Sequence, residues 1–379
     1  MRRFFIFLCS FTLILCSFAF VEVTAGAVSI SAKSYILINA DTGEVLSASD
    51  AHTRLPMAST TKIMTALLLA ELGTPKKSVT VTGEMVRVEG SSMGLKVGDT
   101  VTHYGLLVGM LLPSGNDAAN STAISVAGTL SGFAELMNLR AQEIGMKNSH
   151  FVTPSGLDSE GHYSTAYDMA LLAREALKND TLREIVSQEK ITVSFGTPQY
   201  QRTFYNHNKL LSSFEYCVGV KTGFTKKSGR CLVSAAEKDG CRVIAVTLNA
   251  RDDWNDHKEL LELGLSQLEA TDVTAKLPIE NISVVGGIEK CVDVAVPQFV
   301  CGLSRSSLDR VTYKVYTKPF VYAPVSLGQQ VGTVEYFYNN ELIHTSSIIS
   351  LKSVGIKQYR PSFSERFADA FKTLFKCLA

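Results

Sequence analysis

The sequence predicts a mixed α/β unit over residues 28–270, a small all-β domain over 271–356 and an amphipathic tail over 357–379. Three observations carry this. Strand-like segments bracket a long run of helical periodicities between residues 34 and 268. Near residue 271 the composition shifts to short strands punctuated by Gly and Pro. At the C-terminus apolar residues recur on one helical face. A chain of 379 residues is too long for one ordinary domain, and 46% hydrophobic against 19% charged residues supplies sizeable cores.

The N-terminus reads Met1-Arg2-Arg3, an apolar stretch from Phe4 to Val21, then Thr24-Ala25-Gly26-Ala27. A basic start, a greasy core and a small-residue site make a secretory signal peptide over 1–27, with cleavage expected after Ala27. The competing reading is an uncleaved anchor, because the apolar stretch approaches spanning length. Either way the remainder leaves the cytoplasm. The formal net charge is +1, and loss of the signal brings it near zero. That excludes an electrostatic case for nucleic acid. Of eight cysteines, Cys9 and Cys16 leave with the signal. Cys217, Cys231, Cys241, Cys291, Cys301 and Cys377 form no Cys-x-x-Cys pair, so neither a zinc site nor a thioredoxin-like motif is supported. Buried free thiols are expected, with a Cys291–Cys301 bridge left open.

The elements follow in order. Ser34 to Ile38 reads as a strand, Asp41-Thr42-Gly43 as its turn, and Glu44-Val45-Leu46 as the next strand. From Pro56 the period changes: Ile63, Met64, Leu67, Leu68 and Leu72 recur at helical spacing, with Gly73 as a stop. Further helices are expected near 104–112, 117–127, 131–144 and 165–178. Strands return over 217–249, where Gly229 to Ala236, Glu237-Lys238-Asp239-Gly240 and Cys241 to Leu248 read as a hairpin. One more helix is expected over 255–268. In the all-β region Val311 to Tyr316 and Val331 to Tyr338 read as strands. In the tail, Phe363, Phe367, Ala370, Phe371, Leu374, Phe375 and Leu378 share one face, opposite Glu365, Arg366, Asp369, Lys372 and Lys376. That pattern carries too many charges to span a bilayer and suits a helix at the membrane surface; docking on its own domain is the alternative.

Three short motifs can carry chemistry. Ser59-Thr60-Thr61-Lys62 opens the helix after Pro56. Positions i and i+3 share a face, so Lys62 reaches the Ser59 hydroxyl. Serine needs a base to become a nucleophile, and a lysine serves once burial and nearby cations disfavour its ammonium form. A second Ser-x-x-Lys, Ser187 to Lys190, is read as a solvated surface match. Ser114-Gly115-Asn116 sits between two helices, where a hydroxyl can relay a proton and an amide can hold lysine and substrate. The bland alternative is a helix cap. Lys221-Thr222-Gly223 ends a strand read from Tyr216: lysine and threonine can grip a carboxylate, and glycine admits a ligand backbone. The bland alternative is a strand entering a turn.

Each motif alone is weak. In this order, on helix start, interhelical loop and strand end, they match the set Ser-x-x-Lys, Ser-x-Asn, Lys-Thr-Gly. Residues 33–72 and the runs Gly90-Ser91-Ser92-Met93, Ser155-Gly156-Leu157-Asp158, His162 to Asp168 and Asn208-Lys209-Leu210-Leu211 extend the likeness. The chain resembles the low-molecular-mass D-alanyl-D-alanine carboxypeptidases, peptidase family S11, over nearly all of its mature length.

The resemblance implies the penicillin-recognising α/β fold, an antiparallel sheet flanked by helices, followed by a small all-β sandwich. It implies a peptidoglycan stem pentapeptide as substrate and no cofactor. Ser59 would attack the penultimate D-alanine carbonyl, Lys62 would act as general base and Ser114 would relay a proton. Asn116 would orient Lys62 and substrate, and Lys221 and Thr222 would hold the terminal carboxylate. The backbone N–H groups of Ser59 and Phe224 would form the oxyanion hole beside Gly223. β-Lactams would stall as acyl-enzymes, and the tail would attach the enzyme to the outer face of the cytoplasmic membrane. Arg251 stands near a position where some members place a carboxylate-binding arginine, but Asp252 and Asp253 directly after it blur the register, and the resemblance assigns it no role.

Two other readings compete. A class A β-lactamase usually carries Ser-Asp-Asn and a glutamate-bearing loop, neither of which this chain shows. A non-catalytic envelope scaffold would be expected to lose some of these polar residues. The scattered histidines form no zinc spacing, and a Ser-His-Asp triad is disfavoured because the motifs already supply a base.

Overall fold

A computed structural model describes residues 29–358 and 362–376. The expected signal peptide, Cys377 and the tail's last residues lie outside them. The first body is built on a five-stranded antiparallel sheet. Its order is Val45–Ser49, Ser34–Asn39, Cys241–Ala250, Gly229–Lys238, Cys217–Thr225. Period-two alternation sends Ile36, Ile38, Ile244 and Val246 to one face and Leu37, Val243 and Ala245 to the other. Both faces are covered. The helix Asp253–Gln267 packs Leu260 and Leu261 on the second face, and a helical cluster covers the first.

That cluster contains helices Lys62–Leu72, His103–Leu111, Asn116–Ala127, Leu130–Ile144 and Ala166–Ala176, close to the expected spans. Thr102, Thr129 and Thr165 cap three of them by accepting from Gly105, Gly132 and Asp168 N–H groups. The expected four-residue hairpin turn is tighter in the structure. Glu237 pairs with Arg242 and Lys238 with Cys241, leaving Asp239-Gly240 as a two-residue turn with positive φ at both positions. Elements with no counterpart in the sequence expectations include the helix Asp180–Ser187, the hairpin Lys190–Phe195/Tyr200–Tyr205 and the small ribbon Ser78–Thr80/Thr100–Thr102. Ser187 ends that helix and Lys190 starts that strand, so this second Ser-x-x-Lys does not share a helix face.

The second body is all-β. Val311–Thr317, Gln330–Tyr338 and Glu341–Ser350 form one half; Cys291–Ala295, Asn281–Val285 and Phe320–Tyr322 form the other. Two residue pairs, Val294–Ser350 and Ala295–Ile349, join the halves. Ile282, Val292, Val321, Val334, Tyr336 and Ile348 fill the space between them. A separate ribbon, Glu269–Asp272 with Val300–Leu303, leads from one body to the other. The cysteines at 217, 231, 241, 291 and 301 are free; Cys291 is exposed and Cys301 buried, and they are not bridged. The tail helix runs Phe363–Lys376, with Phe363, Phe367 and Phe371 exposed at 85%, 61% and 53%. Among the described residues no helix is long and apolar enough to cross a membrane.

Candidate active site

Ser59 lies in a single 3-10 turn, Ala58–Thr61, that leads directly into the helix beginning at Lys62. Ala58 takes φ +48°, a costly conformation for a residue with a Cβ, and so turns the chain sharply just before the serine. The edge strand Cys217–Thr225 runs beside this turn, and among the described residues no strand pairs with its outer edge. Gly223 is what lets it come close: a Cβ there would stand 3.0–3.1 Å from the Met57 carbonyl and the backbone nitrogens of Ser59 and Thr60.

Lys62 is fully buried, and its amine has three partners. Nζ is 2.9 Å from Ser59 Oγ, 2.7 Å from Asn116 Oδ1 and 2.7 Å from the Ser155 carbonyl. Asn116 is oriented by its own amide, which donates to the Glu89 carbonyl at 2.7 Å and so turns Oδ1 toward the lysine. Two of the three partners can only accept. A neutral amine satisfies both with its two N–H bonds and offers its lone pair to the Ser59 hydroxyl. Burial, first, and the Lys221 cation, second, hold the Lys62 pKa well below a lysine's ordinary value, with Asp117 opposing them. The structure thus brings Ser59, Lys62 and Asn116 into one hydrogen-bonded group.

Ser114 is buried at positive φ, +63°, immediately before the helix Asn116–Ala127. Gly115, not Ser114 or Asn116, takes the N-cap position, and it has no side-chain cap. Among the described residues the Ser114 hydroxyl makes no hydrogen bond to Ser59, Lys62 or Lys221. Lys221 is buried and donates to the Thr222 carbonyl at 2.9 Å and to Thr222 Oγ1 at 3.4 Å; burial draws its pKa down to about 7. Phe224 follows on the rim, 65% exposed. Arg251 is exposed, and its backbone N–H donates to Ser31 Oγ.

The supporting roles of Asp117, His162 and Thr225 have no counterpart in the sequence analysis. Asp117, buried, accepts from Ser92 Oγ and from the backbone N–H groups of Met93, Gly94 and Leu95, tying that loop to the Ser-Gly-Asn turn. Gly115 has to be glycine there, because a Cβ would fall within 3 Å of Asp117 Oδ1 and the Met93 nitrogen. His162 accepts the Val152 N–H on Nδ1, so Nε2 carries the proton and donates to Thr61 Oγ1 at 2.9 Å. It thereby clamps the strip 152–155, whose Ser155 carbonyl holds Lys62. Thr225 Oγ1 donates to Asp158, fastening the residues that follow this strip to the edge strand. The signal available for Asp117 was its place directly after Ser-Gly-Asn; contacts made through backbone groups leave none.

Comparison with known proteins decides the family. The profile of the D-alanyl-D-alanine carboxypeptidase family, peptidase S11, matches residues 21–252. The chain belongs to that family. A second profile, the C-terminal domain of penicillin-binding protein 5, matches residues 271–355. The D-alanyl-D-alanine carboxypeptidase DacF of Bacillus subtilis is 32% identical over 84% of this chain and 84% of its own. Penicillin-binding protein 5 of Haemophilus influenzae superposes with a TM-score of 0.62 at 25% identity, covering 86% of this chain and 98% of that one. The Streptomyces K15 DD-transpeptidase gives 0.60 at 32% identity, covering 63% and 98%. The α/β fold with a C-terminal all-β domain is therefore a penicillin-binding protein fold, and it is the carboxypeptidase family, not the β-lactamase reading, that the profile matches.

Proposed function

We propose that this member of the serine-type D-alanyl-D-alanine carboxypeptidases removes the terminal D-alanine of peptidoglycan stem pentapeptides through an acyl-enzyme on Ser59. The observation that carries the reading is the Lys62 amine, buried and held by two carbonyl acceptors, with Ser59 Oγ as its third partner at 2.9 Å. The substrate's C-terminal end would lie along the free edge of Cys217–Thr225, as extended peptides add to open sheet edges. Lys221 and Thr222 would receive the terminal carboxylate, Asn116 the backbone of the penultimate residue, and the N–H groups of Ser59 and Phe224 the oxyanion.

Ser59 Oγ then attacks the penultimate D-alanine carbonyl carbon while its proton passes to Lys62 Nζ. The peptide C–N bond breaks, the leaving nitrogen takes that proton by way of Ser114, and D-alanine departs. Water attacks the ester, and the Ser59 oxygen leaves with a proton. Penicillins enter by the same attack and stop at the acyl stage. The reading puts this chemistry outside the cytoplasm, on a membrane surface; its support is the signal-like N-terminal sequence and the exposed phenylalanines of the tail helix.

Intact-protein mass after incubation with benzylpenicillin tests the nucleophile. The unsubstituted protein should gain one adduct and Ser59→Ala none. An adduct on Ser59→Ala would assign the acylation to another side chain. Deleting residues 361–379 should release the protein from membrane fractions; unchanged partitioning would remove the tail from that role.

A further inference from the structure

The all-β domain has two distinct ends. At one, Leu342 to Thr345 face Asp41, Arg174 and Arg242 of the catalytic body across a cavity of about 530 Å³. Nearby, Ser307 Oγ donates to Glu44. Strand Glu341–Ser350 runs away from that end for ten residues, about 30 Å at the usual rise of a strand. The loops at its far end are 286–290, 323–329 and 351–358. They are tied together by the Ile288 N–H on the Gly355 carbonyl, the Lys357 N–H on the Gly286 carbonyl, and the Leu327 N–H on Ser353 Oγ.

This far end is apolar where a soluble tip would be polar. Ile288, Tyr322, Leu327, Leu351 and Ile356 are each more than half exposed, and Val285 nearly so. Val285 and Tyr322 pair in register on the outer face of the sheet. Lys290, Lys352 and Lys357 lie in or beside these loops, and Lys352 is engaged by Glu289 at 2.6 Å and Asp293 at 3.8 Å. Aliphatic tips with a tyrosine and nearby lysines have the composition of a surface that enters the headgroup region of a bilayer. The chain supplies the second argument. It leaves this end at residue 358, and the helix with exposed phenylalanines begins at Phe363, five residues later.

We infer that the far end of the all-β domain is itself a lipid-binding surface, inserting these loop tips beside the tail helix and standing the catalytic body upright above the membrane. The inference rests on the reading of the tail as a membrane-surface helix. Two contacts, a helix and a loop tip, fix orientation where one tether would leave the domain free to tilt. The active site is then held at a set height by a domain that takes no part in the chemistry.

The test is sedimentation of the full chain with vesicles of phosphatidylglycerol and phosphatidylethanolamine. Ile288→Asp and Leu327→Asp are at exposed positions, so neither disturbs the core. Each should weaken vesicle binding about tenfold, the loss expected for withdrawing one aliphatic side chain from an apolar environment. Leu308→Asp makes the same charge change at the catalytic end and should bind as the parent does; all three should acylate with benzylpenicillin normally. Loop variants that bind like the parent, with tail deletion abolishing binding, would overturn the inference and leave the tail reading intact. Unchanged binding after both the loop changes and the tail deletion would overturn the tail reading as well. A lipid-free dimer in sedimentation velocity that the loop variants dissociate would assign the surface to a second copy of the chain instead.

Discussion

Lys62 can take the Ser59 proton only while it is neutral, and its surroundings favour that state. Burial and Lys221 lower its pKa, and its two carbonyl partners leave the lone pair facing the hydroxyl. Lys62→Ala should therefore slow benzylpenicillin acylation by about three orders of magnitude in a stopped-flow assay, the middle of the range for loss of a general base. Acylation at the parent rate would refute the assignment. The two lysines also predict a bell-shaped kcat/KM. On the acid side, activity rises as Lys62 loses its proton. On the alkaline side, Lys221 loses its charge as pH rises through about 7, and a substrate carboxylate then loses its ammonium partner. A substrate whose terminal carboxylate is amidated should lack the alkaline limb; a limb that persists would assign it to another group. The contact between Ser59 and Lys62 was legible in the sequence because i,i+3 spacing on a helical turn is itself geometry. The roles of the Ser155 carbonyl, Asp117 and His162 were not, because their partners, largely backbone groups, are distant in sequence or carry no side-chain signal and meet them only in the fold.

At the scale of elements, the site depends on how closely the edge strand meets the serine turn. Gly223→Ala would put a methyl group 3.0–3.1 Å from three backbone atoms, and backbone cannot move aside as a flexible side chain can. The strand must shift outward, carrying Lys221 and Thr222 with it. Acylation should fall at least tenfold, since small misplacements at a reacting centre are costly, while the melting temperature drops only a few degrees. Unchanged acylation would show that the strand's distance from Ser59 does not set the rate. The main sheet and its covering helices were readable because apolar periods of 2 and 3.6 persist through them. The hairpin Lys190–Phe195/Tyr200–Tyr205 was not. It stands outside the main sheet, and Tyr200, Gln201, Arg202 and Thr203 are all exposed, so no buried alternation marks its second strand.

The whole molecule is joined by a few polar contacts rather than by a shared core. Asn39 Nδ2 donates to the Gly302 carbonyl at 2.7 Å, and the Gly302 N–H donates to Asp41 Oδ2 at 3.1 Å. The other Asp41 oxygen takes Arg242. Glycine at 302 permits this approach, because a Cβ there would lie 3.1–3.3 Å from Cys241 atoms. Asp41→Ala leaves the buried Gly302 N–H without an acceptor, a cost of about 2 kcal/mol concentrated at the junction. Arg242, partly exposed, returns to solvent and adds little. Because the loss falls between two bodies that each keep their own core, the expected result is uncoupling rather than collapse. Scanning calorimetry should show the all-β domain melting separately, below the catalytic body, while benzylpenicillin still acylates Ser59 at the parent rate. One unshifted transition would mean that the Glu44 contacts with Ser304 and Ser307 hold the junction without Asp41. Slowed acylation would mean that the junction transmits strain along Ser34–Asn39 and its neighbours to the serine turn.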